Sequence, residues 1–371
     1  MTKAADLANL IGNINAGGNG THKNIIINGS MKIAQRGTSS ASGGYYTVDR
    51  WTTAYSTSEF ATTQSQETDV PSGQGFTNSY KFVVTTPETS LTGTDYVSMA
   101  HFVEAKNLQH LSYGTSDAKP LSLNFWVKSS VTGTYGVSIF QNDASRNIVP
   151  TYTINSANTW ENKTLRIPGD TSGQIDNNTG TGFSMYWLLG VGPSYTAGSG
   201  NNSTWGAYST GNFAKGHTTD WAENNGATFF LTGVQLEAGQ NPTEFEHESF
   251  AETLTRCQRY YYRIGPEAAY TRFGIGSNLG TTQAEIYNYL PVNMRSNPSV
   301  ETTGTLSNYA LYDSDDVLTA TSIAIEGGNN DGNQLVILDV GVSSGLTDGG
   351  SSQLMASNNS SVFLAFNSEI S

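Results

Sequence analysis

The chain has 371 residues with a formal net charge of −13, and its 36% hydrophobic and 11% aromatic content excludes a disordered chain. Charged residues make up 13% of the sequence, about half of their share in an average soluble domain. The 18 Lys and Arg residues are spread along the chain without a basic stripe, which excludes a surface built for nucleic acid or anionic membranes.

The first 22 residues predict a short helix with a glycine hinge after it. Leu7, Leu10, Ile11 and Ile14 recur at the spacing of one helical face, and the sequence AGGNG at 16–20 separates them from the first strand-like segment. Such a helix is too short to be stable alone in water, so its apolar face needs a partner. Two interpretations stay open: the helix packs on its own domain, or it attaches the chain to another subunit.

Strand-like segments dominate residues 23–247. They are rich in β-branched and aromatic residues, and Gly, Asn, Ser or Pro separates them. The segments lie at 24–28, 79–86, 96–103, 121–130, 134–141, 161–168, 183–191 and 227–237. Because no repeated helix lies between them, they predict an all-β fold, an antiparallel jelly-roll sandwich, rather than an α/β sheet.

A capping box formed by Ser249 and Glu252 predicts a linking helix within 248–264. Four apolar residues of this stretch repeat at helical spacing and predict its buried face: Phe250, Leu254, Cys257 and Tyr261. Residues 265–371 again alternate strand-like segments with Gly- and Asn-rich connections. They predict a smaller C-terminal β-domain.

No motif predicts catalysis, a metal centre or a cofactor. The five histidines lie far apart without ligand spacing, and a single cysteine, Cys257, excludes both an intrachain disulfide and a zinc–thiolate cluster. The G-x-S-x-G match at 341–345 lacks the helix that a nucleophile elbow requires, and no pair of acids is marked by its setting. We therefore expect no enzymatic activity, no cofactor and no metal.

Targeting signals are also lacking. Residues 1–20 contain no continuous apolar run of signal-peptide length, and no window approaches the roughly 20 apolar residues of a membrane span. Together with the single cysteine, this pattern is typical of a protein made in a reducing cytoplasm without membrane insertion.

Aromatic residues in a long polar segment are the candidate binding residues. Trp205 and Trp221 lie within 197–226, which is rich in Gly, Asn, Ser and Thr, and Tyr195 and Tyr208 lie nearby. Aromatic faces beside hydrogen-bonding side chains suit sugars, which offer C–H surfaces and hydroxyls. Alternatively, the rings hold the segment against its own sandwich or a neighbouring subunit. The other four tryptophans lie in or beside strand-like segments, where core packing is expected: Trp51, Trp126, Trp160 and Trp187.

Several segments together resemble phage and prophage tail-fibre or minor virion structural proteins. They are NIIINGSMKIAQRGTS (24–39), YYTVDRW (45–51), FWVKSS (125–130), the run from 231 to 261, LPVNMRSNPSV (290–300) and FLAFNSEI (363–370). The order of the segments is kept along almost the whole chain. From their positions at strand ends, we interpret Asn28, Asp49, Arg50 and Trp51 as architectural residues.

The resemblance implies a jelly roll similar to carbohydrate-binding modules and a non-enzymatic fibre or appendage that mediates attachment to the host surface. It further implies a homotrimer located in the virion after synthesis in the host cytoplasm. The partners would be other virion proteins, through the N-terminus, and a host-surface glycan. Two alternatives are a capsid decoration or head-fibre protein with a structural role, and a carbohydrate-active enzyme.

Overall fold

A computed structural model of the chain describes residues 23–57, 59–200, 202–326 and 334–370. It divides into two compact units, one containing residues 23–253 and Ile370, the other consisting of Leu254–Glu369. The predicted attachment helix with Leu7, Leu10, Ile11 and Ile14 lies outside the described residues.

The described residues of the first unit form thirteen strands in two facing sheets. The strands are β1 (Ser39–Ser40), β2 (Trp51–Ser56), β3 (Ala61–Glu67), β4 (Ser79–Thr86), β5 (Tyr96–Glu104), β6 (Leu121–Ser129), β7 (Gly133–Gln141), β8 (Arg146–Ile148), β9 (Thr151–Ile154), β10 (Glu161–Ile167), β11 (Thr181–Val191), β12 (Gly206–Ala207) and β13 (Thr228–Ala238). The first sheet has the order β1-β3-β4-β13-β6-β10. The second has the order β12-β8-β7-β11-β5-β2, and β9 also pairs with β7.

The strand order identifies this sandwich as a jelly roll. The first sheet contains the consecutive neighbours β4-β13-β6-β10. The second sheet contains the consecutive neighbours β5-β11-β7-β8. The chain therefore changes sheet from β4 to β5, to β6 and to β7, and it pairs strands that are distant in sequence. This is the winding of two Greek keys. The predicted jelly-roll class is confirmed.

Alternation along β6 separates the core from the outer surface of the first sheet. Its inward residues belong to the main hydrophobic core: Leu121, Leu123, Phe125 and Val127. Each contributes roughly 1.5–3 kcal/mol by burial. The intervening Asn124, Trp126 and Lys128 are half-buried on the opposite face. Residues along β6 thus alternate between the core and the solvent-facing side of the sheet.

Residues 24–28, predicted as a strand, do not form one. The side-chain oxygen of Asn24 accepts hydrogen bonds from the backbone N–H groups of Ile26 (3.0 Å) and Leu236 (3.1 Å). Local side-chain bonds of this kind replace a strand ladder. Asn28 then adopts a left-handed φ of +59° and begins a turn with Gly29.

The motif residues Asn28, Asp49, Arg50 and Trp51 are all nearly fully buried. Asn28 Nδ2 donates to the Asp49 carbonyl at 2.9 Å, and Trp51 Nε1 donates to the Asn28 carbonyl at 3.2 Å. The Arg50 guanidinium donates to the Phe102 carbonyl at 2.7 Å. Because these contacts all reach backbone carbonyls inside the sandwich, they agree with an architectural role.

The helix α1 (Phe250–Gln258) comes after the jelly roll in the chain. Its capping box is confirmed: Ser249 N donates to Glu252 Oε2 at 2.9 Å, and Glu252 N donates to Ser249 Oγ at 3.2 Å. The predicted buried face is wrong at Phe250, the first helical residue, which is 61% exposed. The prediction is confirmed at Cys257 and Tyr261, which are buried, whereas Leu254 is half-buried, and the helix also buries Thr253.

The described residues of the second unit form a three-stranded sheet and a closed six-stranded barrel. The strands are β14 (Tyr261–Ile264), β15 (Arg272–Asn278), β16 (Gln283–Tyr289), β17 (Ser299–Thr302), β18 (Tyr309–Asp313), β19 (Asp316–Ile325), β20 (Leu335–Val342), β21 (Ser351–Ala356) and β22 (Leu364–Asn367). The sheet has the order β14-β22-β17, and the barrel closes through β15-β16-β20-β19-β18-β21. The expected C-terminal β-domain is thus a small barrel with its own hydrophobic core.

Candidate functional site

Residues 192–226, which lead from β11 towards β13 and include the polar segment 197–226, place their two tryptophans in the main core of the jelly roll. Trp205 is 9% exposed, its ring stacks on Phe183 at 5.9 Å, and its Nε1 donates to the Pro168 carbonyl at 2.7 Å. Trp221 is fully buried, and its ring lies 6.5 Å from Phe60 and 6.4 Å from Phe229.

This burial corrects the expectation that Trp205 and Trp221 present their rings to a ligand. A ring enclosed by core side chains has no free face for stacking. The physical reason is the large apolar surface of indole, whose burial stabilises the loop more than exposure would. The alternative interpretation therefore describes these two rings: they hold the segment against its own sandwich.

Tyr195 and Tyr208, from the same segment, lie at the surface instead. Tyr208 is 38% exposed, and its ring meets Phe140 of β7 edge-on at 5.1 Å. Tyr195 ends a 3₁₀ turn, and its ring lies 4.7 Å from Phe213. Both rings therefore border the outer face of the second sheet, with the segment folded over part of that sheet.

Strand residues complete this surface. Tyr186 of β11 lies opposite Ala100 of β5 and Ser138 of β7, and it points outward because Met185 and Trp187 belong to the core. Tyr96 begins β5. We call the set Tyr96, Tyr186, Tyr195 and Tyr208 the tyrosine face.

Three of the four rings of the tyrosine face pack around Phe213. Its ring lies 5.5 Å from Tyr186, 5.8 Å from Tyr96 and 4.7 Å from Tyr195. Phe213 also belongs to a small second core with Leu188 on the outer side of the sheet. Edge-on contacts of this kind fix ring orientation and contribute roughly 0.5–1.5 kcal/mol each beyond burial. The tyrosine face is therefore a pre-ordered surface.

The hydroxyls of the tyrosine face influence one another. Burial is the main cause that raises the pKa of Tyr186 to about 12; the neighbours Tyr96, Tyr208 and Tyr195 act in the same direction, and a hydrogen bond with Ser184 opposes them. Burial and Tyr208 also raise the pKa of Tyr96 and of Tyr195. All four groups thus stay protonated and can donate as well as accept hydrogen bonds.

Two serines add polar atoms beneath the rings. Ser184 Oγ donates to Asn142 Oδ1 at 2.9 Å. Among the described residues, Ser138 Oγ is buried without a hydrogen-bond partner, directly across the ladder from Tyr186.

The hydrogen-bonding groups of the tyrosine face are mainly uncharged. Its donors and acceptors are phenols, hydroxyls and an amide, and the carboxylate of Asp95 lies close enough to raise the pKa of Tyr195. Within the ranges that the structure describes, no group of three His, Cys, Asp or Glu side chains could hold a metal ion. Nor does any helix of those ranges have the length and apolar character of a membrane span.

Sequence reasoning missed Tyr96 and Tyr186 because they lie inside apolar strands. The signal was available in β11, where Tyr186 alternates with the apolar Met185 and Trp187.

The predicted core position of Trp126 and Trp160 is also wrong. Both are half-buried on the outer face of the first sheet, because the alternation of β6 sends Phe125 and Val127 inward. Trp51 and Trp187 are in the core, as expected.

Comparisons with known proteins give similarities of fold only. No family model and no curated protein matches the chain. A bacteriophage CBA120 tailspike protein 4 enzymatically active domain is 12% identical over 58% of this chain and 21% of that chain, with a TM-score of 0.33. The match thus spans about a fifth of the tailspike domain.

Two smaller proteins are matched over almost their whole length. A family 11 carbohydrate-binding module of a Clostridium thermocellum cellulase is 13% identical over 57% of this chain and 98% of that chain (TM-score 0.29). A putative sugar binding protein from Bacteroides thetaiotaomicron is 11% identical over 58% and 99% (TM-score 0.33). At these identities and TM-scores, the similarity extends no further than the β-sandwich architecture.

Proposed function

We propose that the chain is a non-enzymatic carbohydrate-binding protein of a bacteriophage particle, and that the tyrosine face binds a glycan of the host surface. One observation carries the proposal: four tyrosines from two strands and one loop converge on a neutral outer face of the jelly roll. A purely structural sandwich does not need four phenols on one exposed surface.

The tyrosine face matches the chemistry of a sugar ring. A pyranose presents C–H groups on its faces and hydroxyls on its rim, so it needs apolar ring surfaces beside donors and acceptors. Tyr208 offers an exposed ring, and the protonated Tyr186 hydroxyl can donate to or accept from a sugar hydroxyl. Because Phe213 already orders the rings of Tyr96, Tyr186 and Tyr195, and Phe140 packs against Tyr208, little entropy is lost on binding.

The proposed place in a phage fibre or appendage rests on the resemblance of the chain's ordered motifs to tail-fibre and minor virion proteins. In this proposal the N-terminal segment attaches the chain to other virion proteins and the chain is a homotrimer. Three copies of a weak site raise apparent affinity by about 10²–10⁴ when they can engage together. A capsid decoration or head-fibre role is the alternative, and it would leave the tyrosine face without a ligand.

The test is a glycan array carrying bacterial surface polysaccharides, probed with the wild-type chain, the Tyr208→Ala variant and the Tyr289→Ala variant. Tyr289 lies in the barrel and is 78% exposed, so it is a matched control for loss of a surface tyrosine. We expect wild type and Tyr289→Ala to bind the same glycans and Tyr208→Ala to bind them about tenfold more weakly. Equal binding by all three proteins would remove the tyrosine face as the site.

A further inference from the structure

The outer face of the first sheet carries a second set of rings and amides, in which Trp126 and Trp160 are half-buried and Phe230 is buried. Trp126 and Lys128 of β6 and Phe230 of β13 point outward, and Asn162 of β10 lies directly opposite Trp126. We call the set Trp126, Trp160, Phe230, Asn124 and Asn162 the tryptophan face.

Two rings of the tryptophan face are held in place by charged neighbours. Trp160 lies 6.0 Å from Phe230, and its Nε1 donates to Asp69 Oδ1 at 3.0 Å. The Lys128 ammonium lies 4.2 Å from the centre of the Phe230 ring and 5.3 Å from that of Trp160, and it also bonds to Asp69. These contacts hold the rings of Trp160 and Phe230 in fixed positions.

Trp126 lies at a place where the backbone makes room for it. A β-carbon at Gly233 would come within 3.1 Å of Trp126 Cδ1 and 2.5 Å of Phe76 Cζ, and Gly233 has a left-handed φ of +61°. This glycine lies in the bulge of β13 between Thr232 and Gln235. A bulge with glycine thus leaves space for the indole beside the sheet.

An amide pair borders the indole. Asn124 Nδ2 donates to Asn162 Oδ1 at 3.0 Å, and Asn162 Nδ2 donates back to Asn124 Oδ1 at 3.1 Å. Asn124 Nδ2 also donates to Thr164 Oγ1 at 2.9 Å. Each amide oxygen keeps a second lone pair, and the Thr164 hydroxyl keeps its proton for a ligand.

The charges next to the rings are paired. Lys81 lies 3.5 Å from Glu67, and Lys128 bonds to Asp69. The tryptophan face therefore offers a ligand no free cation from these lysines, and a polyanion would gain little there. Because these charges are paired, the tryptophan face suits an uncharged ligand that has apolar faces and hydroxyls.

We propose that the tryptophan face is a second carbohydrate-binding surface, which takes a neutral polysaccharide by stacking on Trp126 and hydrogen bonding to Asn162. The second surface is independent of the tyrosine face and belongs to the opposite sheet. Two binding surfaces on one domain would let a single chain hold two segments of a glycan layer.

The test is affinity electrophoresis, which measures how far each protein is retarded in gels that contain a soluble β-glucan, galactan, mannan or polygalacturonate. The proteins are wild type, Trp126→Ala, Asn162→Ala and Tyr289→Ala, the first three also in a Tyr208→Ala background. We expect at least one neutral polysaccharide to retard wild type, with Trp126→Ala weakening its binding about tenfold in both backgrounds. Polygalacturonate should retard none of the proteins through this surface.

Each other outcome is decisive. If no neutral polysaccharide retards wild type, or if Trp126→Ala and Asn162→Ala bind as wild type, the proposal is overturned. Should Trp126→Ala fail to fold, the exposed Asn162→Ala variant decides alone. An effect of Tyr208→Ala without one of Trp126→Ala would support the tyrosine face only, and the reverse would support the tryptophan face only. A changed oligomeric mass with unchanged binding would make the tryptophan face a contact between copies.

Discussion

The two outer faces of the jelly roll are built in different ways. The tyrosine face combines Tyr96 and Tyr186 from strands with Tyr195 and Tyr208 from a long loop segment. In the tryptophan face, Trp126 and Phe230 lie within paired strands, and Trp160 immediately precedes β10. One surface thus depends on a loop that must be held in place, while the other rests on the sheet ladder itself.

This difference explains why Trp205 and Trp221 are buried. A long segment rich in Gly, Asn and Ser gains little order from its own sequence, so its anchors must come from packing in the core. The tryptophan face needs no such core anchors, because strand pairing fixes Trp126 and Phe230, and Asp69 and Lys128 hold the Trp160 ring. The two faces should therefore respond differently to the same change in the core.

The largest effect is expected from Trp205→Ala. Removing a nearly buried indole from the core should lower the free energy of unfolding by about 3–5 kcal/mol. It should also weaken glycan binding by the tyrosine face, because β12 and Tyr208 come directly after Trp205 in the chain. Urea unfolding measures the first effect and the glycan array the second.

The matched control for Trp205→Ala is Tyr289→Ala, whose exposed ring should leave stability within about 0.5 kcal/mol of wild type. If Trp205→Ala unfolds at the wild-type urea concentration, the loop is held by other contacts. Binding by the tryptophan face should survive Trp205→Ala wherever the variant remains folded.

The next effect concerns the hydroxyl of Tyr186. Tyr186→Phe keeps the ring that packs on Phe213 and removes one hydrogen-bonding group, so affinity for the glycan should fall about tenfold with little loss of stability. Because the pKa of Tyr186 is raised to about 12, wild-type affinity should stay constant from about pH 6 to about pH 9. Isothermal titration calorimetry at several pH values checks both statements. A change of wild-type affinity across that interval would show that a group other than Tyr186 controls binding.

The smallest effect concerns Glu161, which organises the turn before β10 and next to Trp160. Burial by itself raises the pKa of Glu161, but Lys163 and hydrogen bonds from Ser156 N and Asn155 outweigh it and lower the pKa to about 2. Its ionised form therefore stabilises the fold above pH 4.5, its ordinary pKa, and this contribution is lost as the pH falls towards 2.

Glu161→Gln should accordingly reduce the free energy of unfolding by about 1 kcal/mol at neutral pH, since solvent near the surface screens these contacts. The difference from wild type should shrink as the pH falls from 4.5 towards 2. Urea titrations at several pH values in this range measure it. A difference that is the same at every pH would assign the effect to lost packing instead of lost charge.

The pattern of strand-like segments in the sequence predicted the jelly roll well, because hydrophobic and β-branched residues mark core strands such as β6 and β11. It overlooked β3, whose sequence ATTQSQE is polar, because its strand character comes from pairing with β4 rather than from its own apolar residues. It also assigned a strand to 24–28, where the side chain of Asn24 takes over the hydrogen bonding of the backbone.

The candidate site was predicted in part, for a physical reason. The sequence shows aromatic residues in and beside the segment 197–226, but composition cannot tell which rings turn inward. Trp205 and Tyr208 are close neighbours in the chain. Trp205 nevertheless packs on Phe183 in the core, and Tyr208 packs on Phe140 at the outer face of the second sheet. That choice depends on the register of β12 against β8, which no local pattern encodes.

The central claim is that a glycan contacts the tyrosine face, and NMR of the full chain with ¹³C-labelled tyrosine rings tests it most directly. A glycan selected by the array is titrated into the protein, and ring signals are assigned by single Tyr→Phe variants. The account predicts saturable shifts of the Tyr186 and Tyr208 signals, with the Tyr289 signal unchanged. Saturable binding that leaves Tyr186 and Tyr208 unshifted would contradict it.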